Sequence, residues 1–328
     1  MPTISELFVY PIKSCAGIAL NEARLLATGL EYDRYWMVTD PDGTMLTQRA
    51  YPRLALITVE IGQHELLIRA PGMSVLRTPL DAAALGAAPK VQTVVWRDAV
   101  YGLDTGEASA AWFSAFLGVP ARLLRFNPER ERIVDPEYTS SVGGATTYFA
   151  DGFPLLVIGQ ASLDDLNVRL NSKGAPSIPI DRFRPNVVLT GLEAYEEDYI
   201  ESLNVDGTQG QDVQLQLDRF RPNVVLTGLE AYEEDYIESL NVDGTQGQDV
   251  QLQLVKLCSR CPMPTVDQAK GAPDPDWPNE PTDTLSTYRA NPQRNGALTF
   301  GNNAVVARGA GAWLRVGQEV EAELAFGD

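Results

Sequence analysis

Histidine is nearly absent from this chain, and its scarcity removes several classes of enzyme from consideration. The only histidine among 328 residues is His64, in Gln63-His64-Glu65, a predicted turn between two strands. Ser-His-Asp and Cys-His mechanisms require an imidazole, and most protein-ligated zinc, iron and copper sites use one. A histidine-based catalytic centre or metal site is therefore nearly excluded.

Cysteine is also scarce, and so are the signals of export or membrane insertion. Three cysteines, an odd number in a long chain, do not make a disulfide framework. The first six residues lack the basic region and long apolar stretch of a signal peptide. No run of eighteen apolar residues occurs, so no membrane span is expected. These features favour a reducing, cytoplasmic compartment.

Basic residues are too few to balance the acidic ones. The 26 Lys and Arg residues face 44 Asp and Glu residues, which gives a net charge of −18. Nucleic acid is not an expected partner, because binding phosphates over a large area requires a basic surface. The same charge repels anionic lipid headgroups. Any anionic ligand must therefore be held by a few focused Lys and Arg side chains.

Short alternating or apolar runs, separated by frequent turn signals, predict a β-rich chain. Residues 4–12 alternate, and the runs at 54–61 and 66–69 flank Gly62-Gln63-His64 as the two arms of a hairpin would. We therefore predict a mainly β fold of the α+β class, built as a sandwich or barrel with a few short helices.

Two of these helices have recognisable boundaries. Residues 108–117 carry apolar side chains at helical spacing, and Gly118 can end that helix. Ser162 is a predicted N-cap for a second helix over residues 163–170. The charged, turn-rich stretch between the two helices suits a linker. With 328 residues, the chain has room for two domains or one large one.

The second half of the chain contains an exact tandem duplication. Residues 181–217 recur as residues 218–254 without a single difference over 37 positions. Units of a solenoid diverge and occur three or more times, so this is not a repeat architecture. We expect one copy, or a hybrid of the two, to fill the fold. The surplus can form a loop, because the cost of loop closure grows slowly with length.

Two of the three cysteines, Cys258 and Cys261, lie three positions apart with an arginine between them, directly after a strand-like run. A thiol beside a fixed positive charge is readily held as the thiolate that attacks or binds metal. The same spacing occurs in zinc half-sites and redox dithiols, and either cysteine could be a buried apolar residue. Zinc is excluded, because Cys15 and His64 are the only other soft ligands and lie far upstream.

Eight segments, taken together in their order, resemble a known family. They are Tyr10-Pro11-Ile12-Lys13-Ser14-Cys15-Ala16-Gly17, Gly29-Leu30-Glu31-Tyr32-Asp33-Arg34, Asp151-Gly152-Phe153-Pro154-Leu155-Leu156, Ala161-Ser162-Leu163-Asp164-Asp165-Leu166-Asn167, Arg182-Phe183-Arg184-Pro185-Asn186, Cys258-Ser259-Arg260-Cys261, Thr265-Val266-Asp267 and Phe300-Gly301-Asn302. This set resembles the MOSC family, the C-terminal domain type of molybdenum cofactor sulfurases. It is most similar to the two-domain branch that includes the mitochondrial amidoxime-reducing components.

The resemblance implies a fold, a cofactor and an activity. It implies a MOSC N-terminal β-barrel domain at 1–125 and a β-barrel-like MOSC domain at 126–328. It also implies a molybdenum cofactor of the molybdopterin type, with Cys261 as both metal ligand and catalytic residue. Since the pterin sulfurs supply the other soft ligands, a chain with one histidine can still be a metalloenzyme. Related enzymes reduce N-hydroxylated compounds such as amidoximes, hydroxylamines and hydroxylaminopurines.

Partners and cofactor-binding residues follow from the same resemblance. Because the chain has no Cys₄ cluster motif, we expect electrons from a separate flavin or iron–sulfur reductase. At most one of the pairs Arg184/Asn186 and Arg221/Asn223 can occupy the site, since the duplication makes both match equally well. The residues implied to bind the cofactor are Lys13, Ser14, Arg34, Arg184, Asn186, Arg221, Asn223, Ser259, Arg260 and Thr265.

Three functional hypotheses remain open from the sequence. The first is the molybdenum oxidoreductase, for which Asp267 is a candidate proton donor. The second is a non-catalytic module that binds or carries the cofactor or its sulfur. The third, a thiol–disulfide oxidoreductase that uses Cys258 and Cys261, ranks last because no thioredoxin-like CxxC begins a helix. Outside these hypotheses, Cys258 and Cys15 are interpreted as structural.

Overall fold

The prediction of a mainly β fold is confirmed. A computed structural model of the protein describes residues 2–196, 200–204, 229–232, 237–243 and 249–324. Strands dominate these ranges, and three α-helices accompany them. None of the helices among these residues is long and apolar enough to cross a membrane.

The strands and helices alternate along the chain in a β-rich order. The strands of the first half are β1 (Thr3–Val9), β2 (Ile18–Leu20), β3 (Glu22–Leu26), β4 (Gly29–Leu30), β5 (Trp36–Thr39), β6 (Thr58–Ile61), β7 (Glu65–Arg69), β8 (Leu76–Pro79), β9 (Lys90–Val95), β10 (Asp98–Asp104) and β11 (Arg122–Phe126). Those of the second half are β12 (Leu155–Gly159), β13 (Val187–Glu196), β14 (Ile200–Asn204), β15 (Leu229–Tyr232), β16 (Ile237–Asp243), β17 (Asp249–Ser259), β18 (Val266–Asp267), β19 (Ala272–Pro273), β20 (Ala290–Asn291), β21 (Ala297–Arg308), β22 (Trp313–Arg315) and β23 (Glu321–Leu324). The helices are α1 (Glu107–Leu117), α2 (Gln160–Ser172) and α3 (Thr282–Ser286).

One large sheet carries most of the second half of the chain. Its strands run in the order β14-β23-β16-β17-β21-β12-β13-β1-β2, with β15 paired to β13 and β20 paired to β21. Neighbours are mainly antiparallel, but β12 runs parallel to β13, with Val157 opposite Val187. The inward side chains of β1, β12, β13, β17 and β21 form one buried apolar cluster. This packing fixes the ends of those strands relative to each other.

A second apolar core lies among the remaining strands of the first half. Strands β5, β11, β10 and β9 form one sheet, and β6, β7 and β8 form another. The hairpin predicted around His64 is present, with β6 paired to β7 and His64 exposed in the turn. Helix α1 buries Phe113 and Phe116 in this core, and Gly118 ends it in the left-handed conformation. Its aromatic side chains are therefore core residues.

The predicted start of α2 at Ser162 is wrong. The helix begins at Gln160, with Gly159 in the N-cap position, and Ser162 lies fully buried inside its first turn. Strand β12 leads into the helix without a loop, so the strand-to-helix junction, rather than a side-chain cap, sets the start. Helix boundaries are the least reliable part of a prediction from sequence.

Both copies of the duplicated segment contribute strands to the large sheet. The first copy supplies β13 and β14, and the second supplies β15, β16 and residues 249–254 of β17. Leu203 and Leu240 are equivalent positions of the two copies, and both lie opposite Leu252 of β17. The sheet thus draws on both copies. The expectation that surplus residues form a loop falls largely outside the described ranges and stays a prediction, as does the boundary at 125/126.

Glu6 of β1 provides a test of how burial affects stability. Burial raises the pKa of its carboxyl group to about 9, because the ionised form loses hydration. The folded state therefore binds this proton more tightly than the unfolded state between about pH 4.5 and pH 9. The stabilising contribution is fully present below pH 4.5 and is lost as the pH rises towards 9.

Replacing Glu6 by glutamine is expected to remove this pH dependence. Relative to wild type, E6Q should gain up to about 6 kcal/mol in free energy of unfolding at pH 9, because each pKa unit corresponds to about 1.36 kcal/mol, and little at pH 4.5. Denaturant unfolding at several pH values measures the difference. Glu137 lies exposed in a turn, so E137Q is a matched control that should follow wild type. An E6Q curve parallel to the wild-type curve would contradict the assignment.

Candidate functional site

An open cleft lies where loops from both halves of the chain meet the end of β17. The segment before β12, the turn before β13 and the loop after β17 each supply part of its wall. Eight residues predicted from the sequence to form the site line this single cleft: Lys13, Ser14, Arg34, Arg184, Asn186, Ser259, Arg260 and Cys261. The predicted residues that fall within the described ranges therefore converge, with one exception given below.

The charge of the cleft is opposite to the charge of the chain. The lining contains five basic side chains, Lys13, Arg34, Arg182, Arg184 and Arg260, and a single acidic one, Asp151. The whole chain has a net charge of −18. Low-dielectric walls focus such a local positive field. This is the arrangement expected for holding an anion in an acidic protein.

Lys13 and Ser14 follow β1 and form one side of the cleft. The buried Lys13 Nζ donates to the carbonyl oxygen of Phe149 at 2.8 Å and to Asp151 Oδ1 at 2.5 Å. Burial lowers the pKa of Lys13, and the Asp151 carboxylate offsets part of that effect. Ser14 has a φ of +68°, and its buried hydroxyl has no partner among the described residues.

Two guanidinium groups lie against the ring of Tyr10. The Cζ atoms of Arg34 and Arg184 lie 4.4 and 4.2 Å, respectively, from the centroid of the Tyr10 ring. Asp33 Oδ1 accepts from the Tyr10 N–H at 2.8 Å, and Asp33 Oδ2 accepts from Arg34 Nη1 at 2.6 Å. Arg34 Nη2 also donates to the carbonyl oxygen of Arg184 at 3.2 Å. The aromatic ring and the buried carboxylate thus keep two cations side by side.

Arg184 and Asn186 each have one buried donor without a hydrogen-bond partner among the described residues. Burial lowers the pKa of Arg184 to about 10, so it remains charged at neutral pH. Its Nη1 donates to the carbonyl oxygen of Cys15, but its buried Nη2 has no partner in the described structure. Asn186 Oδ1 accepts from the Leu156 N–H and from Arg34 Nη1, while its buried Nδ2 is likewise without a partner there.

The three cysteines occupy different environments. Cys15 is fully buried in the core of the first half, and burial raises the pKa of its thiol to about 12. Cys258 packs against a third apolar cluster, which includes side chains of α2 and β12. Desolvation raises the pKa of its thiol as well. Cys261 is half-buried like Cys258, and both residues line the cleft. All three are free cysteines.

Two arginines hold the backbone on either side of Cys261. Arg260 donates through Nε to the carbonyl oxygen of Phe300 at 2.8 Å and through Nη1 to that of Phe183 at 3.1 Å. Arg182 donates through Nη1 to the carbonyl oxygens of Pro264 and Thr265, at 3.2 and 3.1 Å. These hydrogen bonds therefore position the loop that carries Cys261, called the cysteine loop below.

Gly301 stands next to the Arg260 side chain and has a φ of +70°. A Cβ at this position would lie 2.6 Å from the carbonyl oxygen of Val157 and 3.4 Å from Arg260 Nη2. Backbone cannot move aside as a flexible side chain can, and the left-handed conformation already favours glycine. Glycine is therefore required where β21 passes closest to β12.

Two of the predicted residues, Thr265 and Asp267, do not line the cleft. Thr265 is the exception among the described site residues, because it does not line the cleft and its hydroxyl donates to the carbonyl oxygen of Pro262. Asp267 does not line the cleft either, and its carboxylate pairs with Arg182 at 3.3 Å, so it is poorly placed as a proton donor. Arg221 and Asn223 lie outside the described residues.

Sequence reasoning missed three side chains of the cleft. Asp151 accepts hydrogen bonds from Lys13 Nζ and from Trp96 Nε1, and Arg182 supports the cysteine loop. Asp151 and Arg182 do lie inside the motif segments and could have been found there. Trp96 lies in a hairpin turn of the first half, where no motif marked it.

Family models match both halves of the chain. The MOSC N-terminal beta barrel domain matches residues 1–120. The MOSC domain matches residues 145–211 and residues 194–321. These last two matches overlap inside the first copy of the duplication, as expected when part of a domain is present twice.

Curated proteins show the same relationship over most of the chain. Mitochondrial amidoxime reducing component 2 of Bos taurus is 31% identical, over 88% of this chain and 72% of its own length. Mitochondrial amidoxime-reducing component 1 of Homo sapiens is 31% identical over the same shares. A molybdenum cofactor sulfurase of Danio rerio is 32% identical over 64% of this chain and 26% of its own length.

Proposed function

Because this chain belongs to the MOSC domain family, we propose that it is a reductase of N-hydroxylated compounds that uses a molybdenum cofactor. The relatives that cover most of its length are named for amidoxime reduction. The observation that carries the proposal is the convergence of a half-buried cysteine with a cluster of basic side chains in one cleft of an acidic protein.

The residues of the cleft fit a cofactor that carries a phosphate group and a metal with affinity for thiolate. Three buried donors of the cleft wall, Ser14 Oγ, Arg184 Nη2 and Asn186 Nδ2, have no partner among the described residues. Unpaired buried donors are costly and call for an explanation. A phosphate with several acceptor oxygens would satisfy them through strong charge-assisted bonds. Cys261 then supplies the single soft ligand that the metal requires from the protein.

Each part of the cleft has a role in this proposal. When bound, the cofactor supplies two-electron redox chemistry at its metal. Cys261 would hold the metal, while Arg34, Arg184 and Lys13 hold the anionic part of the cofactor. Arg260 and Arg182 keep the cysteine loop in place through backbone carbonyl groups. The remaining volume of the cleft orients the substrate and excludes bulk water.

The electron donor and the compartment are also proposals. Three cysteines cannot hold a Cys₄ iron–sulfur cluster, which supports a separate flavin or iron–sulfur reductase as the donor. The cysteines are all free, which supports a reducing compartment such as the cytoplasm. The amidoxime-reducing relatives are named as mitochondrial.

Turnover separates the enzyme from a non-catalytic cofactor carrier. Purified protein loaded with cofactor is mixed with a chemical reductant and benzamidoxime, and benzamidine is quantified. We expect sustained formation of benzamidine, many equivalents per chain. Cofactor binding without turnover would support the carrier instead. A reversible disulfide between Cys258 and Cys261, with activity in metal-free protein, would support the thiol–disulfide alternative.

A further inference from the structure

A tryptophan from the first half of the chain stands at the cleft. Trp96 lines the cleft and is 47% exposed, whereas Trp36 and Trp112 are buried in the core. Large exposed aromatic side chains beside a polar site are typical of recognition surfaces. Trp96 is therefore the most exposed aromatic side chain in the lining of the cleft.

The backbone at Trp96 is held in an unfavourable conformation. Trp96 and Arg97 form the two-residue turn between β9 and β10, since Val95 lies opposite Asp98. Trp96 has a φ of +58°, in a hairpin position that favours glycine or asparagine. Strained residues of this kind concentrate at functional sites. The chain thus keeps a bulky indole where a small residue would fit more easily.

The indole is fixed from two directions. Its Nε1 donates to Asp151 Oδ1 at 2.9 Å, and the same oxygen accepts from Lys13 Nζ at 2.5 Å. The guanidinium of Arg49 lies over the ring, 4.6 Å from its centroid. The ring plane is therefore set by a cleft residue on one edge and by a cation on one face. A pre-oriented ring loses little entropy when a ligand stacks on it.

We propose that Trp96 is a specificity-determining residue that stacks on the planar aromatic part of an N-hydroxylated substrate. The inference rests on the proposed reductase function and narrows its substrates to aryl compounds in preference to alkyl compounds. Offset stacking on a fixed ring favours a flat partner over a small aliphatic one. In this account the first half of the chain contributes selectivity, while the second half contributes Cys261.

Equilibrium binding tests the proposal independently of turnover. Benzamidoxime and acetamidoxime carry the same polar group on an aryl and an alkyl body, and calorimetric titration of the cofactor-loaded protein gives both affinities. We expect wild type to prefer benzamidoxime, and W96L to reduce that preference about fivefold. W96F, which keeps a ring, should retain most of it. Trp313 is also exposed and does not line the cleft, so W313L should match wild type.

The outcomes separate this inference from the function on which it rests. Wild type that binds both compounds equally, or neither of them, would overturn the role of Trp96. The same holds if W96L and wild type show the same preference within twofold while both unfold at the same temperature. If the preference depends on Trp96 but no turnover occurs, the binding role stands and the reductase function is wrong. The ratio of kcat/KM for the two compounds should follow the binding ratio in an active enzyme.

Discussion

Replacing Cys261 by alanine is expected to abolish reduction of N-hydroxylated substrates and to release the metal. Of the two half-buried cysteines in the cleft wall, Cys258 and Cys261, we propose Cys261 as the metal ligand, and Cys15 is sealed in the core of the first half. Loss of even an outer-shell partner typically costs 10–100-fold in metal affinity or activity, so loss of the only protein ligand should cost more than about 100-fold. Metal analysis and benzamidoxime turnover of the purified variant measure the effect.

Cys258 is the matched control for this substitution. It lies three residues away and also lines the cleft, but it packs against an apolar cluster and its pKa is raised by desolvation. A thiol kept protonated is a poor metal ligand. C258A should therefore keep its metal, with activity within about threefold of wild type. Equal losses in C258A and C261A would favour the dithiol alternative, and full activity in C261A would contradict the metal assignment.

Replacing Arg184 by glutamine is expected to weaken cofactor retention by about 10- to 100-fold. Arg184 is a buried cation with an unpaired Nη2 in the cleft wall. A hydrogen bond from a charged donor contributes about 1.5–3 kcal/mol, which corresponds to this range. Cofactor content after gel filtration, together with activity, measures the loss. Thermal unfolding of the same samples shows whether the variant is folded.

The duplication supplies a control with the same local sequence. Arg221 stands in the second copy, in the identical Arg219-Phe220-Arg221-Pro222-Asn223 segment. Because Arg184 of the first copy already lies in the cleft, we expect R221Q to keep wild-type cofactor content and activity. If R221Q lost the cofactor and R184Q kept it, the second copy would build the site.

Sequence reasoning named eight of the residues that line the cleft because the motif segments that contain them can be recognised by residue type and order. A single histidine removed most mechanisms, and an acidic chain left few candidates for holding an anion. The cysteine segment can be recognised from the sequence because its residue types and their spacing can be read without knowing the fold. The mainly β character also followed from alternation, which is a local property of each strand.

Contacts that depend on long-range packing could not be predicted in this way. Trp96 reaches the cleft only because β9 and β10 form a hairpin whose turn meets Asp151, 55 positions later. The carbonyl partners of Arg260 lie 40 and 77 positions from it, so nothing in its neighbourhood indicated a positioning role. The start of α2 was misplaced for a local reason, since β12 runs directly into the helix.

The molybdenum content of the purified protein tests the central claim most directly. The protein is produced in cells that synthesise the cofactor, and metal and released pterin are quantified per chain. We expect close to one molybdenum and one pterin per folded wild-type chain, with both reduced in R184Q and the metal absent from C261A. Folded wild-type protein without molybdenum or pterin, obtained from such cells, would contradict the assignment of this cleft as a molybdenum cofactor site.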